Sequence, residues 1–331
     1  MIYILCPPYL KTGGTELAHQ FVYELKKRRD DVSIAYTEAE DGKYINPAFE
    51  KYVSEYVLES EIEDVESNSL ILPETYTRRL FKYKRISMYI WWMSVDNYIA
   101  PKPLPMVYKQ TGALECVKEL YRRVAYPERK NCPLNKMDNV KAHLIQSEYA
   151  KEYLHQQGID NIIPLSDYIN DEYFNYSDNV DESKKENIVL YNPAKGKKFT
   201  QKLIKYCPEI KFIPLRGLTN NQVIDYMTKA KIYIDFGNHP GKDRLPRESA
   251  TMKCCIITSK YGSAANNVDV SIPDSLKFDC ANKDLQEIKS LIENIFADYD
   301  KYNQLYEEYR NKIKNEKSVF IDQVENLATV L

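Results

Sequence analysis

Short apolar runs separated by amphipathic stretches recur along the chain. In the first half they are Ile2–Cys6, VSIAYT at 32–37, SLILPE at 69–74, SMYIWWMSV at 87–95 and AHLIQS at 142–147. Runs of this length between turn formers predict strands buried on both faces. The stretches between them carry helical spacing. Leu17, Phe21 and Leu25 fall on one face at a spacing of four. TRRLFKYKRI at 77–86 reads as a basic helix, and residues 113–126 as another. SEYAKEYLHQQG opens on a capping serine, Ser147, and closes on Gly158.

Residues 166–187 are polar and rich in Asp, Asn and Ser, which predicts a linker. The alternation then restarts. IVLYN (188–192), KFIPL (211–215), IYIDF (232–236) and CIITS (255–259) read as strands, and KFTQKLIKYC, TNNQVIDYMTKA and RESATMKC as the helices between them. From Lys283 the chain reads as helical to its end. Strand–helix alternation predicts parallel sheets with helices on both faces, and hence an α/β protein of two Rossmann-like βαβ domains around a cleft. The expected limits are 1–168 and 169–312, with the last helix, 313–331, packing back on the first domain.

Composition narrows the class. With 331 residues the chain has room for two ordinary domains, and 44% hydrophobic with 28% charged residues is a globular composition. The 46 basic and 48 acidic residues leave a net charge of −2, and no basic stripe marks a nucleic-acid module. Seven cysteines without a CxxC pair indicate a reduced compartment, with Cys254 and Cys255 in the core. MIYILCPPYL has no basic segment before its apolar run, and Met88–Val95 is too short to cross a bilayer, so a cytoplasmic protein is expected.

Candidate chemistry concentrates after IYIDF, in GNHPGKDRLPRE. Gly237 and Gly241 allow sharp turns, and Pro246 suits the first turn of a helix. Lys242, Arg244 and Arg247 gather at that helix start, beside backbone N–H groups that suit a diphosphate. Glu248 is placed in the same first turn, able to accept from sugar hydroxyls. His239 reads equally as a ligand contact or a loop residue. YNPAKGKK at 191–198 puts Lys195 and Lys198 on another loop entering a helix, and Arg216–Gly217 follows the next strand at the same sheet edge. Each of these also reads as a solvated turn.

In the first half, Gly13 and Gly14 with Glu16 lie between the first strand and helix, without the third glycine of a dinucleotide fingerprint. Glu38 stands where a dinucleotide-binding domain holds ribose, which favours a nicotinamide-dependent oxidoreductase only weakly. Trp92, Asp96 and Asn97 end a strand with the aromatic and polar groups that sugars use, and Asp96 is placed to serve as a general base; tryptophans are more often core, since aromatics mostly supply buried area. The basic residues of 78–92 read as a solvated face or as a peripheral contact with an anionic membrane. The four histidines show no metal-ligand spacing, and Asp298–Tyr299–Asp300 sits on a polar helix, so no metal is expected.

These motifs together resemble the retaining glycosyltransferases of the GT-B fold, especially the family-four type of bacterial polysaccharide assembly. The resemblance rests on Gly13, Gly14 and Glu16, on Lys195–Gly196, and on ESATMKCCII at 248–257, which is similar to the family's Glu-Ala-x-Ala-x-Gly-x-Pro-Val-Ile segment. It implies a nucleoside diphosphate sugar as substrate rather than cofactor, bound by the C-terminal domain, and a glycan or lipid-linked acceptor on the N-terminal one. It implies that Glu248 holds the donor ribose and that Lys195 and Arg244 contact the diphosphate. The family's first glutamate falls on Pro240, leaving Asp243 or His239 as substitutes. A catalytically silent subunit of the same fold is the alternative that Pro240 favours.

Overall fold

The computed structural model describes residues 1–39, 41–99, 104, 108, 113–125 and 131–331. The chain divides into two compact units, Met1–Asp167 with Ser318–Leu331, and Tyr168–Lys317. Each is built on one parallel sheet.

The first unit's seven strands are β1 (Ile2–Cys6), β2 (Val32–Tyr36), β3 (Val57–Leu58), β4 (Ser69–Pro73), β5 (Ser87–Trp92), β6 (Val140–Ile145) and β7 (Ile162–Pro164). They lie in the order β3-β2-β1-β4-β5-β6-β7. β1 pairs on both sides, Ile4 with Ile34 and with Ile71, and is buried throughout because helices cover both faces. Helix α1 (Gly13–Lys26) follows β1. Thr12 caps it, its hydroxyl and that of Thr15 forming a reciprocal capping box. Leu17, Phe21 and Leu25 lie inward, as their spacing requires. Helices α2 (Val95–Ile99), α3 (Ala113–Ala125) and α4 (Glu148–Gln156) also belong here, the last capped by Ser147. Residue 126 of the expected helix lies outside the described residues.

The second unit's strands are β8 (Glu186–Tyr191), β9 (Lys211–Pro214), β10 (Ala230–Asp235), β11 (Cys255–Ser259) and β12 (Lys277–Phe278), in the order β12-β11-β10-β8-β9. Between and around them run α5 (Asp171–Ser177), α6 (Lys197–Tyr206), α7 (Asn220–Lys229), α8 (Arg244–Thr251), α9 (Asp284–Ala297) and α10 (Tyr299–Gln304). Cys254 and Cys255 are fully buried in this core.

Helix α11 (Glu307–Ala328) contributes residues to both units. Its later part buries Phe320, Val324 and Leu327. There Gln323 accepts from the Ser166 amide at 2.7 Å, and the Leu331 carbonyl from Ser69 Oγ at 3.1 Å. Among the described residues, no helix is long and apolar enough to cross a membrane.

Three local expectations change. The segment expected as a basic helix is a 3-10 run, Glu74–Phe81, broken at Tyr76, where φ is −109°. Arg79 and Lys82 there reach across the fold to Glu59 at 3.3 and 3.1 Å. The polar linker 166–187 contains α5, capped by Asn170 and anchored by buried Ile169 and Tyr173. It also contains Lys185, whose buried ammonium donates to the carbonyls of Met227, Ala230 and Met252, each at 2.9 Å. Finally, α8 starts at Arg244, so Pro246 is its third residue and Glu248 lies beyond the first turn. Pro246 fits because first-turn amides have no partner in the helix.

Candidate functional site

The second sheet's C-terminal edge is built by the loops after β8, β10 and β11. After β8 the chain turns through Asn192–Ala194 and reaches Gly196 at a φ of +55°, a conformation that disfavours side chains. A Cβ on Gly196 would lie 2.4 Å from the Phe236 carbonyl carbon, and one on Gly237 would lie 2.4 Å from Lys195 Cβ. The β8 and β10 loops therefore touch backbone to backbone, which seats Lys195 against the 237–243 loop.

That loop is itself held down. Ser259 Oγ donates to the Gly237 carbonyl at 2.5 Å and Ser263 Oγ to the Gly241 carbonyl at 2.6 Å. The Ser263 amide donates to the His239 carbonyl at 2.8 Å. Asp235, at the end of β10, accepts from the Gly237 amide at 3.0 Å and the Tyr233 hydroxyl at 3.2 Å.

Inside the loop lies a compensated charge cluster. Lys195 Nζ is 2.5 Å from Asp243 Oδ2, and the same oxygen is 2.8 Å from His239 Nδ1. His239 Nε2 lies 3.3 Å from the Asp235 carbonyl and 3.8 Å from Asp235 Oδ1. His239 is fully buried. Burial works against its charge, yet the Asp235 and Asp243 carboxylates outweigh it and raise its pKa above the ordinary value. Burial likewise pushes Asp243 up, but His239 and Lys195 hold it below the usual carboxylate range. Asp235, His239 and Asp243 bring their ligand atoms within 4.8 Å of one another, a grouping that the histidine spacing alone did not suggest. The i, i+4, i+8 spacing was the missed signal. It was missed because these residues sit on a loop rather than a helix face.

The cations expected together at the helix start separate. Arg247 is buried and donates to Glu316 at 2.6 Å and to the Lys242 carbonyl at 2.9 Å. Lys242 Nζ is 2.8 Å from the other Glu316 oxygen. Glu316 thus ties the loop to α11, and Lys242, expected as a donor contact, lies in this ion pair. Arg244 and Glu248 lie beside Tyr173 of α5. Burial, then the Glu248 carboxylate, raises the Tyr173 hydroxyl well above its usual range, with Arg244 opposing. Lys198, Arg216 and Gly217 are exposed at the rim, and Gly241 is buried.

In the first unit, Gly13 and Gly14 open α1 at the sheet's C-terminal edge, where a Cβ on Gly14 would meet Met93 Sδ at an ordinary 3.6 Å. Glu16 accepts from the Tyr52 hydroxyl at 3.3 Å and Asp96 from Tyr149 at 3.1 Å; Asn97 is exposed. Trp92 is corrected from acceptor contact to core. It is fully buried, and its indole N–H donates to His143 Nδ1 at 2.9 Å. Burial lowers His143 to about 4, so its neutral ring can accept. The segment 78–92 likewise cannot be one membrane face, because Met88–Trp92 is interior strand.

Sequence reasoning missed Glu74. It follows β4, is buried, and accepts from the Met93 amide at 3.1 Å. Burial pushes it up to about 7 despite those backbone donors. Its signal was a glutamate directly behind the wholly apolar run SLILP.

No protein-family model matches the chain, and no curated protein matches it by sequence. Solved structures do match. HepE of Anabaena, solved in complex with UDP-glucose, is 11% identical with a TM-score of 0.58, over 100% of this chain and 99% of its own. Sucrose-phosphate synthase of Thermosynechococcus elongatus is 11% identical with a TM-score of 0.61, over 98% and 97%. WaaG, a glycosyltransferase involved in lipopolysaccharide biosynthesis, is 11% identical with a TM-score of 0.55, over 100% and 99%. The α/β architecture of two parallel sheets is that of the GT-B glycosyltransferases.

Proposed function

We propose that the chain is a glycosyltransferase moving a sugar from a nucleoside diphosphate donor to a glycan or lipid-linked acceptor. The observation that carries this reading is the seating of Lys195 by the Gly196–Gly237 contact at the second sheet's C-terminal edge, where parallel α/β sheets bind ligands. HepE was solved with UDP-glucose on the same fold, which supports a nucleotide-sugar donor here.

In this reading the second unit, residues 168–317, binds the donor and the first unit binds the acceptor. Lys195 and Arg244 stabilise the departing diphosphate, and Glu248 accepts from the ribose hydroxyls. Transfer proceeds with retention at the anomeric carbon, in the cytoplasm and without a metal. The departing phosphate takes the acceptor's proton, and Asp96 orients the acceptor.

UDP should raise the melting temperature of the protein while NAD does not, and Lys195→Ala should abolish the UDP effect. Stabilisation by NAD alone would instead establish a nicotinamide enzyme. Donor hydrolysis or transfer unaffected by EDTA, giving an α-linked product from an α-linked donor, is the expected activity. A β-linked first product by proton NMR would overturn retention and make Asp96 the catalytic base.

A further inference from the structure

We propose that Tyr9 is a stacking platform for a sugar ring of the acceptor, in a carbohydrate subsite formed by the loops after β1 and β2. This rests on the reading above that the first unit takes the acceptor. It adds the group that is recognised: the C–H face of a pyranose, carried by a free glycan or by a lipid-linked saccharide.

Tyr9 has a φ of +54°, in the left-handed region where a bulky side chain is an outlier. It is the middle residue of a three-residue turn in which the Leu10 amide donates to the Pro8 carbonyl at 2.6 Å. Such a turn with a positive central φ is the rare, strained form. Neighbouring groups hold it there. The Tyr9 amide donates to the Tyr44 carbonyl at 2.7 Å, and the Tyr9 carbonyl accepts from Asn46 Nδ2 at 2.9 Å. Glycine takes this conformation without strain, so the ring would have to justify a tyrosine by packing. Its packing is slight: the residue is 43% exposed, with Lys43 Nζ 5.7 Å from the ring centroid. A strained backbone, fixed by its surroundings and presenting an open aromatic ring, points to a ligand contact.

The surroundings select a sugar. Exposed Lys11 and Thr12 lead from Tyr9 into the Gly13–Gly14 opening of α1, at the edge of a parallel sheet where ligands bind. In the β2 loop, Tyr44 stacks on Tyr56 with centroids 5.0 Å apart, and buried Tyr36 backs both rings at 6.0 and 5.4 Å. Flat rings with wet hydroxyl ends fit a ligand that has an apolar C–H face and a rim of hydroxyls. Lys43, 4.0 Å from Asp41, supplies a further donor and acceptor for that rim. A protein or lipid surface would call for a continuous apolar patch, whereas Leu10 stands between Tyr9 and Lys11.

The test is disaccharide binding to the full-length protein, by saturation-transfer NMR titration with maltose, cellobiose, lactose and chitobiose. Wild type should bind at least one of them. Tyr9→Phe should bind it as tightly, because the ring face does the stacking, and Tyr9→Gly about tenfold more weakly or worse. Tyr9→Gly should nevertheless melt at or above the wild-type temperature, since glycine relieves the turn. A merely structural tyrosine would lower melting temperature and binding together, and that result overturns the inference. So does loss of binding in Tyr9→Phe, wild-type binding in Tyr9→Gly, or a wild type that binds none of the four. If Tyr9→Gly fails to fold, Tyr9→Asn, which tolerates the same φ, decides in its place. The UDP-induced melting shift of the wild type separates the two readings. A UDP shift without disaccharide binding leaves the donor site and overturns the subsite; disaccharide binding that depends on Tyr9, without a UDP shift, does the reverse.

Discussion

Both sheets are parallel, yet their C-terminal edges are secured by different physics. The second unit's edge is locked by interior charge: Lys195, His239 and Asp243 around one oxygen, and Arg247 with Lys242 on Glu316. The first unit's edge is held by neutral hydrogen bonds, the Thr12–Thr15 capping box, and one buried carboxyl, Glu74. Buried paired charges tolerate no loss of a partner, whereas capping bonds and ordinary contacts tolerate small changes. The charged edge is therefore the more brittle of the two, and the more suited to holding an anionic ligand in a defined place.

The comparison breaks most directly at Glu316. Glu316→Ala leaves Arg247 and Lys242 without their shared carboxylate and should cost about 3–5 kcal/mol in urea unfolding, the range for half a buried ion pair. Loss under about 1 kcal/mol would mean the second edge does not depend on this charge.

Glu74 sharpens the contrast through pH. Its carboxyl is raised from 4.5 to about 7, so the native state holds its proton longer than the unfolded chain does. Stability is therefore full at low pH and falls as pH rises from 4.5 toward 7, by on the order of 3 kcal/mol. Glu74→Gln should remove that fall, and urea midpoints at acid and neutral pH in both proteins check it.

Glycine substitution compares the edges at matched chemistry. Gly196→Ala drives a Cβ to 2.4 Å from the Phe236 carbonyl carbon at a φ of +55° and should cost roughly 2–3 kcal/mol. Gly14→Ala meets only Met93 Sδ at 3.6 Å inside a helix and should be neutral or stabilise by up to about 1 kcal/mol. Equal losses in the two variants would erase the proposed difference in packing.

Glu248→Ala should weaken UDP-sugar binding by about 1.5–3 kcal/mol while leaving the fold intact; unchanged affinity removes the ribose assignment. The smallest effect should come from Glu59→Ala. Its partners Arg79 and Lys82 are 32% and 51% exposed, and an unfolding free energy within about 1 kcal/mol of wild type is expected.

The sequence by itself determined the longer strands and the parallel α/β class, because a strand buried on both faces must be a continuous apolar run; the two- and three-residue strands β3, β7 and β12 carry no such run. IYIDF and CIITS can form little else. It also pointed to GNHPGKDRLPRE as the candidate chemical segment, from glycines and cations gathered after such a strand. Only the tertiary structure decided what each charge does there. Lys242, Arg244 and Arg247 look alike in a string of letters, yet Lys242 and Arg247 turn to Glu316, 69 positions beyond Arg247. The His143 partner of Trp92 and the Met93 amide on buried Glu74 escape the sequence for the same reason: a side chain's partner comes from another part of the chain. Periodicity is written locally, while ion pairing and burial are properties of the folded neighbourhood.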